Sequence, residues 1–293
     1  MTTVPAFPSP QVSRRGFLGV VSMAAMTLSG SVSLEGESPP KLRLACRLAS
    51  YGRFEEAAWT HLPSLGVRHL FLNVPAPDQV EPAMERLKTH GLSPLVMRGS
   101  ADLSMPSSLD ELAVQLDTCR RMGVGYMFLS PKHGDAPREV AWERLQIAGD
   151  TARSAGVVIT LETHPDLGTN GDVHLETMRA IAHPNVRVNF DTGNITYYNH
   201  GASAVDELKK IVDYVATVEL KDHNGGFETW EFPPLGQGKV DLPGVLRVLT
   251  DARYAGPVTL EFEGIKGVEL DEAATLKAIE ESITYVRSIG DFS

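Results

Sequence analysis

The chain alternates short apolar runs with longer segments of helical spacing, eight times between residue 41 and its C-terminus. The candidate strands cover residues 41–48, 68–74, 94–98, 125–130, 157–163, 186–191, 215–221 and 257–263. Strands that alternate with helices predict a parallel sheet, and eight such units over about 250 residues are what a closed barrel needs. No GxGxxG motif follows the first strand, which weakens the alternative of an open doubly wound sheet. The sequence therefore predicts an α/β protein with a (β/α)8 TIM-barrel fold.

The segments between these strands carry apolar residues three to four positions apart, the spacing of an amphipathic helix. The predicted helices cover about residues 54–65, 78–90, 108–122, 138–155, 173–182, 203–213, 242–253 and 271–288. Residues that commonly cap helices stand at or near the start of five of them: Asp78, Ser108, Ser203, Asp241 and Asp271. We expect these side chains to accept hydrogen bonds from first-turn amides.

The first 33 residues carry a different pattern. "SRRGFL" at 13–18 leads into the apolar run "LGVVSMAAMTL" at 18–28, which is too short for a comfortable membrane span. The segment 1–33 resembles a twin-arginine-type signal, and the resemblance implies export of the folded protein to the bacterial periplasm by the twin-arginine machinery. Small residues at 31–33 offer a cleavage site, and an uncleaved signal stays open as the one membrane contact. Residues 34–40 read as a linker before the barrel domain 41–293.

The composition of the whole 293-residue chain is that of an ordinary soluble protein, with 42% hydrophobic and 22% charged residues. The formal charge is −10, and removing the first 33 residues with Arg14 and Arg15 leaves 25 bases against 37 acids, which is −12. Such an acidic chain repels phosphate backbones, so no nucleic-acid partner is expected. A homo-oligomer is compatible with the sequence.

Four consecutive candidate strands repeat one pattern: an acid two residues after a Thr or Asn, with an apolar residue between. The acids are Glu162, Asp191, Glu219 and Glu261. Because strand side chains alternate between faces, each acid shares the inward face with its small polar partner, near the C-terminal mouth where barrels place active sites. Buried carboxylates that repel one another need a cation, so the pattern predicts one divalent metal ion. An oxygen-rich site favours Mn²⁺ or Mg²⁺, with Zn²⁺ or Co²⁺ possible if imidazole joins.

Five motifs extend this pattern: "LETH" (161–164), "NFDTGN" (189–194), "VELKDH" (218–223), "PPLGQGKVD" (233–241) and "GPVTLEFEG" (256–264). On them the chain resembles the xylose isomerase-like sugar phosphate isomerase/epimerase superfamily from about residue 41 to 288. The resemblance implies a (β/α)8 barrel with one divalent metal held by the strand-five to strand-eight acids. It also implies that Glu162 and Glu261 serve as the acid/base pair. Many members carry His where this chain has Glu219, and also where it has Asn194.

The resulting hypothesis is a metal-dependent isomerase or epimerase of a sugar or keto-polyol. Glu162 and Glu261 would exchange protons on the carbon beside a carbonyl, with the metal stabilising an enediolate. Further candidate substrate contacts are His164, Asn194, Lys221 and His223, and Glu263 replaces Glu261 if the register shifts by two. The sequence shows no phosphate-binding glycine motif or basic cluster, which favours an unphosphorylated ligand. Aromatic residues after strands six and seven are expected to pack as a lid or to stack on sugar: Tyr197, Tyr198, Phe227 and Trp230.

Three alternatives stay open on the sequence. A lyase or dehydratase acting on a keto-sugar or keto-glycoside would use the same metal and bases. An endonuclease of the abasic-site type shares the barrel, but it needs several histidines where this chain has Glu219 and Asn194. A non-catalytic exported sugar-binding barrel is the third, and the intact acids argue against it.

Overall fold

The computed structural model describes residues 40–293, which form a closed barrel of eight parallel strands surrounded by helices. In chain order the elements are β1 Arg43–Arg47, α1 Glu55–Ser64, β2 His69–Asn73, α2 Val80–His90, β3 Ser93–Arg98, α3 Ser108–Arg121, β4 Tyr126–Leu129, α4 Arg138–Ala155, β5 Val158–Glu162, α5 Gly171–Ile181, β6 Val186–Asp191, α6 Thr192–Tyr198, α7 Ala204–Ile211, β7 Val215–Leu220, β8 Glu231–Phe232, α8 Leu242–Asp251, β9 Pro257–Leu260, β10 Gly264–Ile265 and α9 Glu272–Ile289. Strands β1 to β7 follow one another around the barrel, and β9 closes it between β7 and β1. The predicted TIM barrel is confirmed.

The predicted export signal, 1–33, lies outside the described residues, as does the linker up to residue 39. Between residues 40 and 293, no helix has the length and apolar character needed to cross a membrane.

The structure adds two features that the sequence pattern did not predict. The short helix α6 follows β6 directly, and the short antiparallel pair β8 and β10 lies outside the barrel sheet. Of the five expected caps, Ser203, Asp241 and Asp271 accept first-turn amide hydrogen bonds. The caps at Asp78 and Ser108 were wrong, because α2 and α3 begin after Gln79 and Ser107 and neither end has a side-chain cap.

Two apolar regions stabilise the barrel. The larger one lies between strands and helices and includes the outward-facing residues of the acid-bearing strands, such as Leu161, Val218 and Leu220. The smaller one joins Phe71, Val96 and Phe128 of β2, β3 and β4 into a separate buried cluster. The corresponding residues of the four acid-bearing strands are polar and buried: Thr160, Asn189, Thr217 and Thr259. The barrel interior is therefore apolar on one side and hydrogen-bonding on the other.

His174 of α5 is fully buried beside the C-terminal end of β5, with Nε2 3.2 Å from the Thr163 hydroxyl. Burial lowers the pKa of His174 from 6.5 to about 3. The unfolded chain therefore binds more protons in this window, and the stability from neutral His174 is present above pH 6.5 and lost as pH falls toward 3.

Below pH 6.5, His174 should lower the free energy of unfolding of the wild type by about 1.4 kcal/mol per pH unit. We expect His174→Gln to lack this pH dependence. Urea unfolding at several pH values would measure the difference in free energy of unfolding between wild type and variant. Both proteins contain the same carboxylates, so the contribution of the carboxylates to the pH dependence cancels in this difference. The two stability curves should converge on acidification, and curves that run parallel would contradict this role.

Asp222 organises the loop after β7. It is 1% exposed, and its Oδ2 accepts hydrogen bonds from the amides of Gly236 and Gly238, each 2.8 Å long. Its Oδ1 accepts from the amides of His223 and Val240. A Cβ at Gly238 would lie 2.2 Å from this carboxylate, so only glycine allows the approach. The "PLGQGKVD" motif thus sets loop geometry.

Asp222→Asn puts an amide NH₂ against backbone N–H donors, and we expect it to lower the free energy of unfolding by about 3 kcal/mol. The matched control Asp213→Asn alters an exposed residue just before β7 and should stay within about 0.5 kcal/mol. Urea unfolding of both variants tests this. Equal stability of the two would show that the carboxylate does not hold the loop.

Candidate active site

Three of the four predicted acids meet at the C-terminal mouth of the barrel. Glu162 and Asp191 end β5 and β6, and Asp191 is paired in the sheet with Glu219 of β7. One carboxylate oxygen from each of these residues lies within 4.8 Å of the other two, and all three side chains are buried. Glu261 follows β9 directly and is 4% exposed. Period-two alternation thus brings together acids that lie far apart in the sequence.

A cation from the opposite end of the sequence joins these acids. Arg47, the last residue of β1, is 8% exposed and donates through Nη1 to Glu219 Oε1 at 2.8 Å and to Glu261 Oε1. Its guanidinium also lies 4.8 Å from the ring centre of Phe71. Glu219 Oε2 accepts a further hydrogen bond from the Asn189 amide at 2.8 Å. Both oxygens of Glu219 therefore have protein partners.

Lys221 provides the second buried cation. Its ammonium lies 2.6 Å from Glu263 Oε2, 3.4 Å from Glu261 Oε2 and 3.7 Å from Asp191 Oδ2. It also donates to Asn194 Oδ1 at 3.2 Å. Lys221 therefore connects the acids of β6 and β9 as Arg47 connects those of β7 and β9.

This arrangement gives neighbouring carboxyls opposite shifts. Burial raises the pKa of Asp191 and of Glu219 well above the ordinary range, and the nearby Glu261 raises both further. Burial opposes ionisation of Glu261 as well, but Lys221 and Arg47 together hold the pKa of Glu261 below its ordinary value. The ordering follows from geometry, because Glu261 contacts both cations.

The donor set fits a divalent cation. Asp191 Oδ1 accepts hydrogen bonds from the amides of Gly193 and Asn194, but Asp191 Oδ2 is buried without a hydrogen-bond partner, and so is Glu261 Oε2. Five carboxylates, counting Glu263, lie close together, and the cations paired with them among residues 40–293 are Arg47 and Lys221, which leaves an excess of three negative charges in this cluster if all are ionised. Buried carboxylate oxygens that accept no hydrogen bond, in such an excess of negative charge, suit a hard divalent ion, as the sequence predicted.

Two of the other candidate residues lie on the wall of this site. Asn194 donates to the Thr163 carbonyl and lies 3.5 Å from Glu162 Oε1. His164 is partly exposed, with its ring 4.9 Å from that of Tyr198. Both line a cavity of about 450 Å³ that also contains Glu162, Lys221 and Glu261. Its volume falls within the range of small-molecule sites.

His223 is not on that wall. Its Nε2 lies 2.9 Å from the Thr229 carbonyl, so Nε2 carries the proton, and Nδ1 accepts from the Gly225 amide. With both nitrogens engaged and the side chain fully buried, His223 holds the loop after β7. Among the predicted aromatics, Tyr197, Tyr198 and Trp230 line the cavity, whereas Phe227 stacks on His200.

Three basic residues of the mouth were missed by sequence reasoning: Arg47, Arg98 and Lys132. They belong to β1, β3 and the segment after β4, so no run of sequence shows a basic cluster. The sequence does contain a signal for the two arginines: Arg47 and Arg98 are the last residues of their strands, as Glu162 and Asp191 are of theirs. Alternation rules applied to bases as well as acids would have found both arginines.

Comparison with known proteins agrees with the fold. Residues 58–289 match the family model described as xylose isomerase-like TIM barrel. An uncharacterised protein of Methanocaldococcus jannaschii, MJ1311, is 27% identical over 121 residues, and the match spans 40% of this chain and 41% of that relative's length.

Solved structures extend the likeness over most of the barrel. D-allulose 3-epimerase from Methylomonas sp., in complex with D-allulose, is 16% identical with a TM-score of 0.69, covering 86% of this chain and 98% of its own. The IolI protein with a binding zinc atom is 17% identical with a TM-score of 0.68, covering 84% and 98%. A probable 3-DHS dehydratase from Bacillus anthracis is 13% identical with a TM-score of 0.66, covering 84% and 99%. At these identities the likeness shows the fold.

The fold is a closed parallel barrel, and its buried carboxylates lie at the C-terminal mouth. This places the chain in the class of (β/α)8 barrels that form their site at the C-terminal ends of the strands. Within that class, the match over residues 58–289 shows that this chain belongs to the xylose isomerase-like TIM-barrel family.

Proposed function

We propose that the chain is a divalent-metal-dependent isomerase or epimerase of an unphosphorylated sugar or keto-polyol. The observation that carries the proposal is that Glu162 and Glu261 line one cavity of about 450 Å³, beside buried Asp191 and Glu219. Neighbours of the same fold include D-allulose 3-epimerase and L-ribulose 3-epimerase, which supports the reaction class.

The two glutamates divide the proton transfer. Glu261 contacts Arg47 and Lys221, which favour its ionised form, so it is the group that accepts the proton from the carbon beside the carbonyl. Glu162 ends a different strand of the same cavity wall and, starting as the carboxylic acid, gives its proton to the other face of that carbon, while Glu261 keeps the proton that it removed until the reverse step or exchange with water. A divalent ion held by Glu162, Asp191 and Glu219 would polarise the carbonyl and so acidify that C–H bond.

Other residues of the wall orient the substrate. Lys221 presents a buried ammonium beside Glu261 and Glu263, where it can stabilise negative charge that develops on a substrate oxygen. Asn194 and His164 offer hydrogen bonds to hydroxyl groups. Trp230, which is 40% exposed, presents an aromatic edge or face to the C–H groups of a sugar.

The test is a panel of unphosphorylated ketoses, inososes and 3-keto-sugars, incubated with the protein and Mn²⁺ in D₂O. The proposal expects deuterium to enter one substrate at the carbon beside the carbonyl, with a product of unchanged mass apart from the label. Loss of water or of an aglycone would replace this assignment by the lyase alternative. A tightly bound metal without turnover on any member would replace it by a non-catalytic sugar-binding barrel.

We also propose that residues 1–33 direct export to the periplasm, on the strength of the paired arginines at 14 and 15 and the apolar run after them. Cell fractionation of a bacterial host would test this. Replacing both arginines by lysine should retain the protein in the cytoplasm, and unchanged export of that variant would refute the proposal.

A further inference from the structure

The mouth of the barrel is divided by charge. The half built from β1 to β4 contributes Arg47, Arg98 and Lys132 to the cavity wall. The half built from β5 to β9 contributes every carboxylate that lines the cavity, together with Lys221. A chain with a formal charge of −10 thus gathers bases on one side of its site.

These bases differ in how far their charge is already balanced. Arg47 is bound to Glu219 and Glu261, and Lys221 to Glu261 and Glu263. Arg98 and Lys132, by contrast, are exposed, and neither side chain has an ion-pair or hydrogen-bond partner within residues 40–293. Two positive charges on the cavity wall therefore remain available to a ligand.

Strand alternation directs Arg98 toward the mouth. Val96, two residues before Arg98 in β3, belongs to the apolar cluster with Phe71 and Phe128 inside the barrel. Side chains two residues apart lie on the same face of a strand, so Arg98 also faces inward, nearer the C-terminal mouth. The Arg98 guanidinium lies 6.0 Å from the Phe128 ring centre. Arg98 also lines an adjoining cavity of about 590 Å³ that shares Glu261 and Glu263 with the first. Its position is therefore set by the barrel and not by a free loop.

We propose that the site accepts a sugar derivative bearing a carboxylate, held by Arg98 and Lys132 while its carbonyl end faces Glu162 and Glu261. The inference rests on the proposed function and names its substrate class. A planar guanidinium matches a carboxylate in two parallel hydrogen bonds, and an ammonium adds a point charge. Phosphate sites typically add free amides at a helix N-terminus or a glycine-rich turn. No glycine lines this cavity, and the first-turn amides of Gly193 and Asn194 in α6 already donate to Asp191.

The experiment measures the affinity of three probes that differ only at carbon six: D-glucuronate, D-glucose and D-glucose 6-phosphate. Titration calorimetry with the folded barrel protein and Mn²⁺ should show glucuronate binding about tenfold or more tighter than glucose. Arg98→Gln and Lys132→Gln should each lower the glucuronate affinity about tenfold and leave that of glucose unchanged. Lys88→Gln, an exposed lysine on α2 that lines neither cavity, is the matched control and should change neither.

Glucuronate affinity no greater than that of glucose, including undetectable binding of both, would overturn the proposal. Retention of the preference in both glutamine variants would also overturn it. Tighter binding of glucose 6-phosphate than of glucuronate would overturn the carboxylate assignment. The readout is separate from the proposed reaction, because deuterium exchange on neutral ketoses with no glucuronate preference supports the isomerase and rejects this inference. Conversely, a preference for glucuronate without deuterium exchange on any substrate supports this inference and rejects the isomerase.

Discussion

Glu162→Gln and Glu261→Gln should each lower the rate of substrate interconversion by about 10²- to 10⁴-fold, the contribution of a positioned acid or base. Glutamine keeps the shape of the side chain but cannot accept a proton. Glu162 has one weak hydrogen bond, from Asn194 at 3.5 Å, so its variant should keep wild-type stability. Glu261 is bound to Arg47 and Lys221, so its variant should also be less stable.

Glu263→Gln is the matched control for this pair. Glu263 lines the same cavity and contacts Lys221 at 2.6 Å, but its side chain is 29% exposed against 5% for Glu261, and it forms no ion pair with Arg47. We expect its variant to keep interconversion within about tenfold of wild type. Loss of activity in Glu263→Gln with retention in Glu261→Gln would move the acid/base role to Glu263. Full activity in Glu162→Gln would refute the two-glutamate mechanism.

Arg47→Met should destabilise the metal-free protein by about 3–5 kcal/mol, the cost of leaving a buried charge without its partner. Methionine fills a similar volume, so the loss reports on Glu219 and Glu261, whose Oε1 atoms would lose the guanidinium. Mn²⁺ should then stabilise the variant more than wild type, since the ion would replace missing positive charge. Urea unfolding at neutral pH, with and without Mn²⁺, measures both effects.

Arg53→Met is the control for this measurement. Arg53 is exposed, lies over the Phe54 ring and makes one long hydrogen bond, to the Leu270 carbonyl at 3.4 Å. Its replacement should change the free energy of unfolding by no more than about 0.5 kcal/mol. If Arg47→Met is as stable as wild type, the charge of Arg47 does not balance the acid cluster.

The barrel was predictable because its signal is repeated. Eight alternations of apolar strand and helical spacing locate every barrel strand, and β6 has the predicted bounds, 186–191. Alternation within strands also brought Glu162, Asp191 and Glu219 to one place, because side-chain parity follows from the backbone alone. Helix α6 was missed because only seven residues separate β6 from its end, and Asp191 both ends the strand and caps the helix.

The partners of the acids could not be read from the sequence in the same way. Glu219 meets Arg47 because β1 and β7 lie on either side of β9 in the closed barrel, a contact across 172 positions of sequence. His223 has the same parity as Glu219, but its side chain contacts the Thr229 carbonyl instead of the cavity. The position of that carbonyl is set by the folded loop and cannot be read from the sequence. Sequence pattern thus gave the direction of side chains in strands, while loop residues and charge partners required the structure.

The central claim is that a divalent ion at the mouth carboxylates enables proton transfer in this barrel. Its most direct test is a titration of Mn²⁺ into metal-stripped protein in D₂O, with mass spectrometry following deuterium incorporation across the ketose panel. The account predicts that one ketose gains deuterium, that incorporation saturates at one equivalent of metal, and that Glu162→Gln shows no such metal-dependent conversion. Equal incorporation in the metal-stripped protein, or none in any ketose at saturating metal, would contradict it.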